Sequence, residues 1–443
     1  MSHFLADLPP TESLTLESAY EPVRILREQI QMMSPTRDPE SARIVGMDDM
    51  IDRSLIALIT GEHCLLEGNP GLAKTLLSET TGRMAGLWFQ RIQFMPDTMP
   101  ADLVLKETLV YAKGAPHPDI VPKWGPIFTN LLLADEINRA SPKAQAALLQ
   151  GMQEKEITPL NRPTQVIRPV DPVNEAELLN QYGPFLGLAR FDAATTKGQV
   201  FTVLATQNPI EQEGVYPLSK AFEDRFMFKL LVHYPSADEL YEIERHAFRT
   251  DRIPIETTAQ DHVKTLYFVS ALRSLLFGPE AERWWGSDEN RPLRERVHTL
   301  INFTHVRPFG GRSSRDAALL DGADRKQDEL RGLKKEWERS EDSKLHRRAA
   351  LLTELLSRDD FAYPEVASGS SPRGLLKWIR AAHVMAFLNR HFEAGHVRPT
   401  WNDFQPLAHD VLRHRIRLTP GYEAMGAKSE TVIDLLLEWI NQW

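Results

Sequence analysis

From Ile44 to Val232 the chain alternates short, nearly unbroken apolar runs with segments of helical spacing. That pattern predicts a parallel α/β sheet covered on both faces, because strands buried on both sides show no polar alternation. The candidate strands are His63 to Glu67, Phe89 to Gln93, Leu131 to Ala134, Val200 to Thr206 and Phe226 to Val232. Ahead of them Leu16 to Met33 is amphipathic, and Pro35 and Pro39 break the helix it predicts. After Val232 the pattern turns helical. Ser236-Ala-Asp-Glu239 forms a capping box before an apolar stripe at Leu240, Tyr241, Ala247 and Phe248. Further helices are expected over Asp261 to Phe277, Pro372 to Phe392 behind Ser371, Trp401 to Arg415 behind Thr400, and Glu430 to Gln442.

Two stretches interrupt this plan. Asn161 to Lys197 is punctuated by Pro, Gly and Asn and reads as a loop or hairpin insertion. Gly310 to Arg348 carries both charge signs, with Leu330, Leu333 and Trp337 at helical spacing, and reads as an exposed helix or helical hairpin, with a merely solvated face as the plainer alternative. The expected domains are an N-terminal helical extension over 1–42, an α/β nucleotide-binding domain over 43–234 and a helical domain over 235–443.

Composition narrows the functional classes. With 42% apolar and 26% charged residues among 443, the chain is neither disordered nor fibrous. Its net charge of -9 gives no global attraction to nucleic acid or an anionic membrane surface. The single cysteine, Cys64, has no internal disulfide partner and lies in an apolar run, so it reads as a small buried hydrophobe. His and Cys show no metal-ligand cluster. The N-terminus lacks a basic segment followed by an apolar core, and no uncharged apolar run reaches about 18 residues; a cytoplasmic protein without membrane insertion is expected.

The chemistry concentrates at five places. Gly68, Asn69, Pro70, Gly71, Leu72, Ala73, Lys74 and Thr75 follow a strand and open a helix, and they fit a phosphate loop with Ala73 where a glycine usually precedes the lysine. That exchange is tolerated if residue 73 keeps a helical backbone. Loop amides and the helix N-terminus would face ATP phosphates, Lys74 would neutralise them, and Thr75 would ligate Mg2+. LLLADE projects Asp135 and Glu136 from a buried strand, the first to hold magnesium through its water shell, the second to orient and deprotonate water. VFTVLAT ends in Gln207-Asn208-Pro209; Asn208 would polarise the water or bind the γ-phosphate, or it is an Asn in an ordinary turn. Arg225 closes a short helix on the flank of the domain, suited to serve a neighbouring subunit or to pair with Asp224. Arg373, in the first turn of a long helix, is unfavourable for the helix dipole and suggests a compensating anion, against the plainer reading of an exposed arginine.

Together GNPGLAKT, GPIFTNLLLADEINRASPKAQAALLQGMQE, LATQNPIEQEG and SPRG closely resemble the MoxR family of AAA+ ATPases, over roughly residues 40 to 160, 200 to 250 and 370 to 417. The resemblance implies an AAA+ P-loop NTPase core with a five-stranded parallel sheet, followed by an all-α lid domain. It also implies a homo-oligomeric ring, usually a hexamer, with ATP between subunits. Under it Lys74 and Thr75 belong to Walker A, Asp135 and Glu136 to Walker B, Asn208 to sensor 1, Arg225 to the arginine finger and Arg373 to sensor 2. Phe94 to Pro126 resembles the family's insertion in its second helix, and the region before Val200 its hairpin ahead of sensor 1. The implied role is a chaperone-like ATPase acting on a protein substrate, often with a von Willebrand factor A domain partner. Two other classes stay open: a nucleotide-gated assembly scaffold with little turnover, and the motor subunit of a chelatase-like or DNA-dependent complex.

Overall fold

The computed structural model describes residues 8–31, 44, 46–110, 119–155, 200–209, 217–246, 259–304, 366–393, 395–420, 423 and 428–441. The break at Pro35 and Pro39, both insertions and the residues Ala247 and Phe248 lie outside them. The chain divides into two compact units, one of Met1–Glu282 with Arg380–Pro399, the other of Arg283–Ile379 with Thr400–Trp443.

In the first unit α1 (Leu16–Gln31) and α2 (Asp48–Thr60) precede β1 (Cys64–Glu67), α3 (Lys74–Met84) and β2 (Phe89–Gln93). Then come the short α4 (Pro100–Leu103), β3 (Leu105–Val110), β4 (Asp119–Trp124), β5 (Leu131–Asp135) and α5 (Pro142–Glu154). β6 (Thr202–Gln207), α6 (Lys220–Glu223), β7 (Phe228–Leu231), α7 (Ala237–His246) and α8 (Ala259–Leu276) complete the series. Five strands form one sheet in the order β2-β5-β6-β1-β7, every pair parallel, as the unbroken apolar runs require. All five residues of β5 and all six of β6 are buried, which explains why neither strand alternates. Cys64 is fully buried.

On one face of the sheet sit Leu65, Leu132, Ala134 and Val203, clustered with Phe201, Phe222, Phe226 and Leu148 of α5. Each such side chain contributes about 1.5–3 kcal/mol of burial. α5 starts where Ser141 Oγ accepts the Ala144 N–H at 3.3 Å and Pro142 presets the first turn. α1 is tied to α2 by Arg27, whose guanidinium donates to both carboxylate oxygens of buried Asp52 at 2.6 Å. β3 and β4 pair antiparallel and fill the expected insertion between Phe94 and Pro126 with a hairpin.

The capping box forms: Ser236 N–H donates to Glu239 Oε2 at 2.6 Å, and Glu239 N–H to Ser236 Oγ at 3.3 Å. Of the stripe behind it, the two described residues do not enter the core: Leu240 and Tyr241 are 44% and 63% exposed.

The second unit is organised around Trp378, fully buried at the foot of helix Pro372–Leu388, with its Nε1 donating to Phe404 O at 3.0 Å. Trp401 and Phe404 stand edge-on to it at 6.2 and 5.6 Å. The helix expected over Trp401 to Arg415 is broken into Trp401–Phe404 and Ala408–Leu412 by a tight turn at Gln405–Leu407, where Pro406 has no N–H to give. A short antiparallel pair, Val366–Ser368 with Arg417–Leu418, adds strand to this helical unit. Among the described residues no helix is long and apolar enough to cross a membrane.

His262 of α8 is buried against Trp88, ring centroids 4.4 Å apart, and its Nδ1–H donates to Gly86 O at 2.6 Å. Burial holds the imidazole below its ordinary value of 6.5 despite that carbonyl and Asp261. Below about pH 6.5 the unfolded imidazole binds a proton that the folded one refuses, so this contribution to stability is present above 6.5 and lost on acidification. Urea midpoints at pH 7.5 and 5.5 should therefore fall less for His262→Asn, which keeps a donor and loses the titration, than for the wild type; equal falls would exclude His262 as a cause.

Candidate nucleotide site

β1 delivers the chain to Gly68, where a Cβ would come within 2.7 Å of Val232 O, so only glycine permits this approach. Gly71 turns the loop with a φ of 83° and open space around it. Ala73 does not keep the helical backbone expected of it. It lies in the left-handed region at φ 51°, ψ 16°, and α3 begins only at Lys74. An L-residue there costs about 1–2 kcal/mol. The local sequence favours helix, but the position is fixed by the turn that must hand β1 to α3. Thr75, the second helical residue, is half-buried, whereas Asn69, Pro70 and Gly71 are exposed and Leu72 is buried.

Lys74 is 7% exposed and folds back so that its Nζ donates to Gly68 O at 2.5 Å and Gln207 O at 3.4 Å. Burial lowers the ammonium pKa; the charges of Asp135, Glu136 and Glu67, in that order, oppose the shift. The amine and the acidic pair therefore share one electrostatic site, although 61 positions separate Lys74 from Asp135 in the sequence. The sheet order explains this: β6 lies between β1 and β5, with Glu67 opposite Gln207 and Ala134 opposite Ala205.

Asp135 ends β5 with both carboxylate oxygens engaged. Oδ1 accepts from the Thr206 hydroxyl at 2.5 Å and Oδ2 from Arg91 Nη2 at 2.6 Å. Glu136 follows in the left-handed region, φ 55° and ψ 46°, with its N–H donating to Thr206 Oγ1 at 2.9 Å and Oε2 paired with Arg139 Nε at 2.9 Å. Asn208 is 3% exposed; its backbone carbonyl accepts from Asn138 Nδ2 at 2.9 Å, while its own Nδ2 is buried with no hydrogen-bond partner among the described residues. A buried amide donor left open in a folded protein calls for a reason, and an anion oxygen is one.

The structure thus brings together Gly68 to Thr75, Asp135, Glu136 and Asn208. Arg225 is elsewhere on the unit, following α6, where its Nη2 donates to Gln153 Oε1 of α5 at 2.7 Å. Arg373 belongs to the second unit, exposed in the first turn of Pro372–Leu388, where Ser371 Oγ accepts the Gly374 N–H at 3.3 Å. Sequence reasoning missed Arg91, Asn138, Arg139 and Thr206. Thr206 had a signal, its place two residues before Asn208 on the same side of a strand; Arg91 had none, because its ion pair depends on the β2–β5 register.

A magnesium ion carried on phosphates needs only one or two protein oxygen ligands, and the Asp135 carboxylate with the Thr75 hydroxyl is such a set. Among the described residues no group of three or more His, Cys, Asp or Glu side chains is placed to hold a metal by itself.

Two family models match the chain: the ATPase family associated with various cellular activities (AAA), over residues 63–186 and 188–228, and the AAA lid domain, over 361–435. Chaperone MoxR1 of Mycobacterium tuberculosis is 42% identical over 200 residues, a match covering 45% of this chain and 44% of that protein, less than half of its length. YeaC of Bacillus subtilis is 30% identical over 390 residues, 88% of each chain. A crystal structure from Cytophaga hutchinsonii superposes with a TM-score of 0.59 at 28% identity, covering 96% of this chain and 97% of that one. With the parallel sheet, the loop at Gly68 to Thr75 and these likenesses together, the chain belongs to the MoxR family of AAA+ ATPases.

Proposed function

We propose that this protein binds ATP with Mg2+ at the ends of β1, β5 and β6 and hydrolyses it to remodel or assemble a protein partner. One observation carries the reading: buried Lys74 reaches Gln207 O at the end of β6, the strand between β1 and β5, which places its ammonium in the field of Asp135 and Glu136 beside the open amide of Asn208. Phosphoryl transfer is mostly positioning and charge compensation, and these residue types supply both. Lys74 and the loop amides hold the phosphates. Asp135 and Thr75 would hold magnesium, which would supply charge neutralisation to the triphosphate. Glu136 takes a proton from water as the water oxygen bonds to the γ-phosphorus, the bond to the bridging oxygen breaks, and ADP leaves with the electron pair. Asn208 polarises that water or binds the γ-phosphate.

Arg225 is proposed as the finger offered to a neighbouring protomer in a homo-oligomeric ring, a hexamer by the family pattern, and Arg373 as the γ-phosphate sensor. The family likeness supports the chaperone-like role and a von Willebrand factor A domain partner.

Phosphate release by Glu136→Gln should fall about 100-fold or more with ATP binding kept; equal rates would remove Glu136 from the mechanism. Tight ATP binding by the wild type without turnover, partner present, would instead favour the scaffold class. Mixing Arg225→Ala with Lys74→Ala protein should restore part of the activity that each lacks alone, because one protomer keeps the loop and the other the arginine. Absence of complementation at any mixing ratio would count against a finger acting between subunits.

A further inference from the structure

Thr206 is 1% exposed, the next-to-last residue of β6, the strand that ends at the site. Its hydroxyl has one hydrogen and two lone pairs. The hydrogen goes to Asp135 Oδ1 at 2.5 Å, and the Glu136 N–H occupies a lone pair at 2.9 Å. One hydroxyl therefore holds the carboxylate of the first acidic residue and the backbone of the second.

Two features make this more than packing. Glu136 has a Cβ and stands at φ 55°, a conformation about 1–2 kcal/mol above the right-handed one, so something must hold it. The bond to Thr206 on its N–H side and the Arg139 N–H donating to its carbonyl at 2.9 Å are what grip that peptide. Loss of the first would leave a part-buried amide without its acceptor and leave the Glu136 side chain held by Arg139 alone. The second feature is the contrast at Asp135. Its Oδ2 partner, Arg91, has a side chain 46% exposed, whereas the Oδ1 partner is a β-branched residue in a buried strand, fixed at χ1 and paired through its backbone to β1. The rigid anchor of the acidic pair is thus the strand that leads directly into Asn208, two residues on.

We infer that Thr206 is a positioning residue for ATP hydrolysis: its hydroxyl sets the Asp135 carboxylate and the Glu136 backbone together and registers both to Asn208. This rests on the hydrolysis reading above.

The test compares full-length wild type, Thr206→Val, which keeps shape without the hydroxyl, and Thr206→Ser, which keeps the hydroxyl. Steady-state phosphate release gives kcat and KM, a fluorescent ATP analogue gives affinity, and thermal melts report folding. The Val variant should lose about 10- to 100-fold in kcat, with KM and analogue affinity within about threefold of wild type, and the Ser variant should recover most of the rate. A Val variant at wild-type kcat, a Ser variant as slow as the Val one, or a loss shared by affinity and melting temperature would overturn the inference. A wild type that binds the analogue yet releases no phosphate would instead remove the hydrolysis reading itself, and the inference with it.

Discussion

Parallel pairing of β1 and β5 on either side of β6 is the constraint from which the site follows. Parallel strands all end at the same edge, so whatever comes next in the chain after each strand is delivered to one place. Here β1 is followed by a glycine-bearing loop and the N-terminus of α3, β5 ends in Asp135 and is followed by Glu136, and β6 is followed by Asn208. Most side chains of the central strands are consumed in apolar packing, and the polar groups of the site, Glu67, Asp135, Thr206 and Gln207, occupy the last positions of β1, β5 and β6. The same apolar surroundings strip water from Lys74, which is why its charge is held by Asp135, Glu136 and Glu67 rather than by solvent.

Confinement of this kind has a local cost. Two residues with side chains, Ala73 and Glu136, stand in the left-handed region at the two turns that leave β1 and β5. Each exits a strand abruptly enough to keep its neighbour, Lys74 or Asp135, at the sheet edge. The stability of the surrounding sheet offsets that strain, and long-range bonds such as Thr206 to Asp135 and Asn138 to Asn208 hold the turns in place.

Much of this was legible in the sequence, and the failures have physical causes. The five strands were found within two residues of their ends, β1, β5, β6 and β7 because a largely buried strand is a nearly unbroken apolar run, a rule that the polar and more exposed β2 does not follow. The loop from Gly68 to Thr75 was found because glycines and lysine at that spacing between strand and helix are rare together. The backbone of Ala73 was misread because alanine's local preference is helical and the turn overrides it. The helix from Trp401 was drawn through Pro406, a breaker that was in plain view. Leu240 and Tyr241 have helical spacing yet remain exposed, since spacing reports a face and not what covers it. Arg91, Asn138 and Thr206 act through partners 44 to 71 positions away, a distance that only the sheet register closes.

The central claim is that Lys74 and the acidic pair form one site for magnesium ATP. The most direct measurement is a calorimetric titration of ATP, with magnesium present, into wild type and Lys74→Ala. Saturable binding by the wild type, weakened about tenfold or more when the ammonium is removed, is the predicted result; equal affinities, or no binding to a folded wild type, would contradict it.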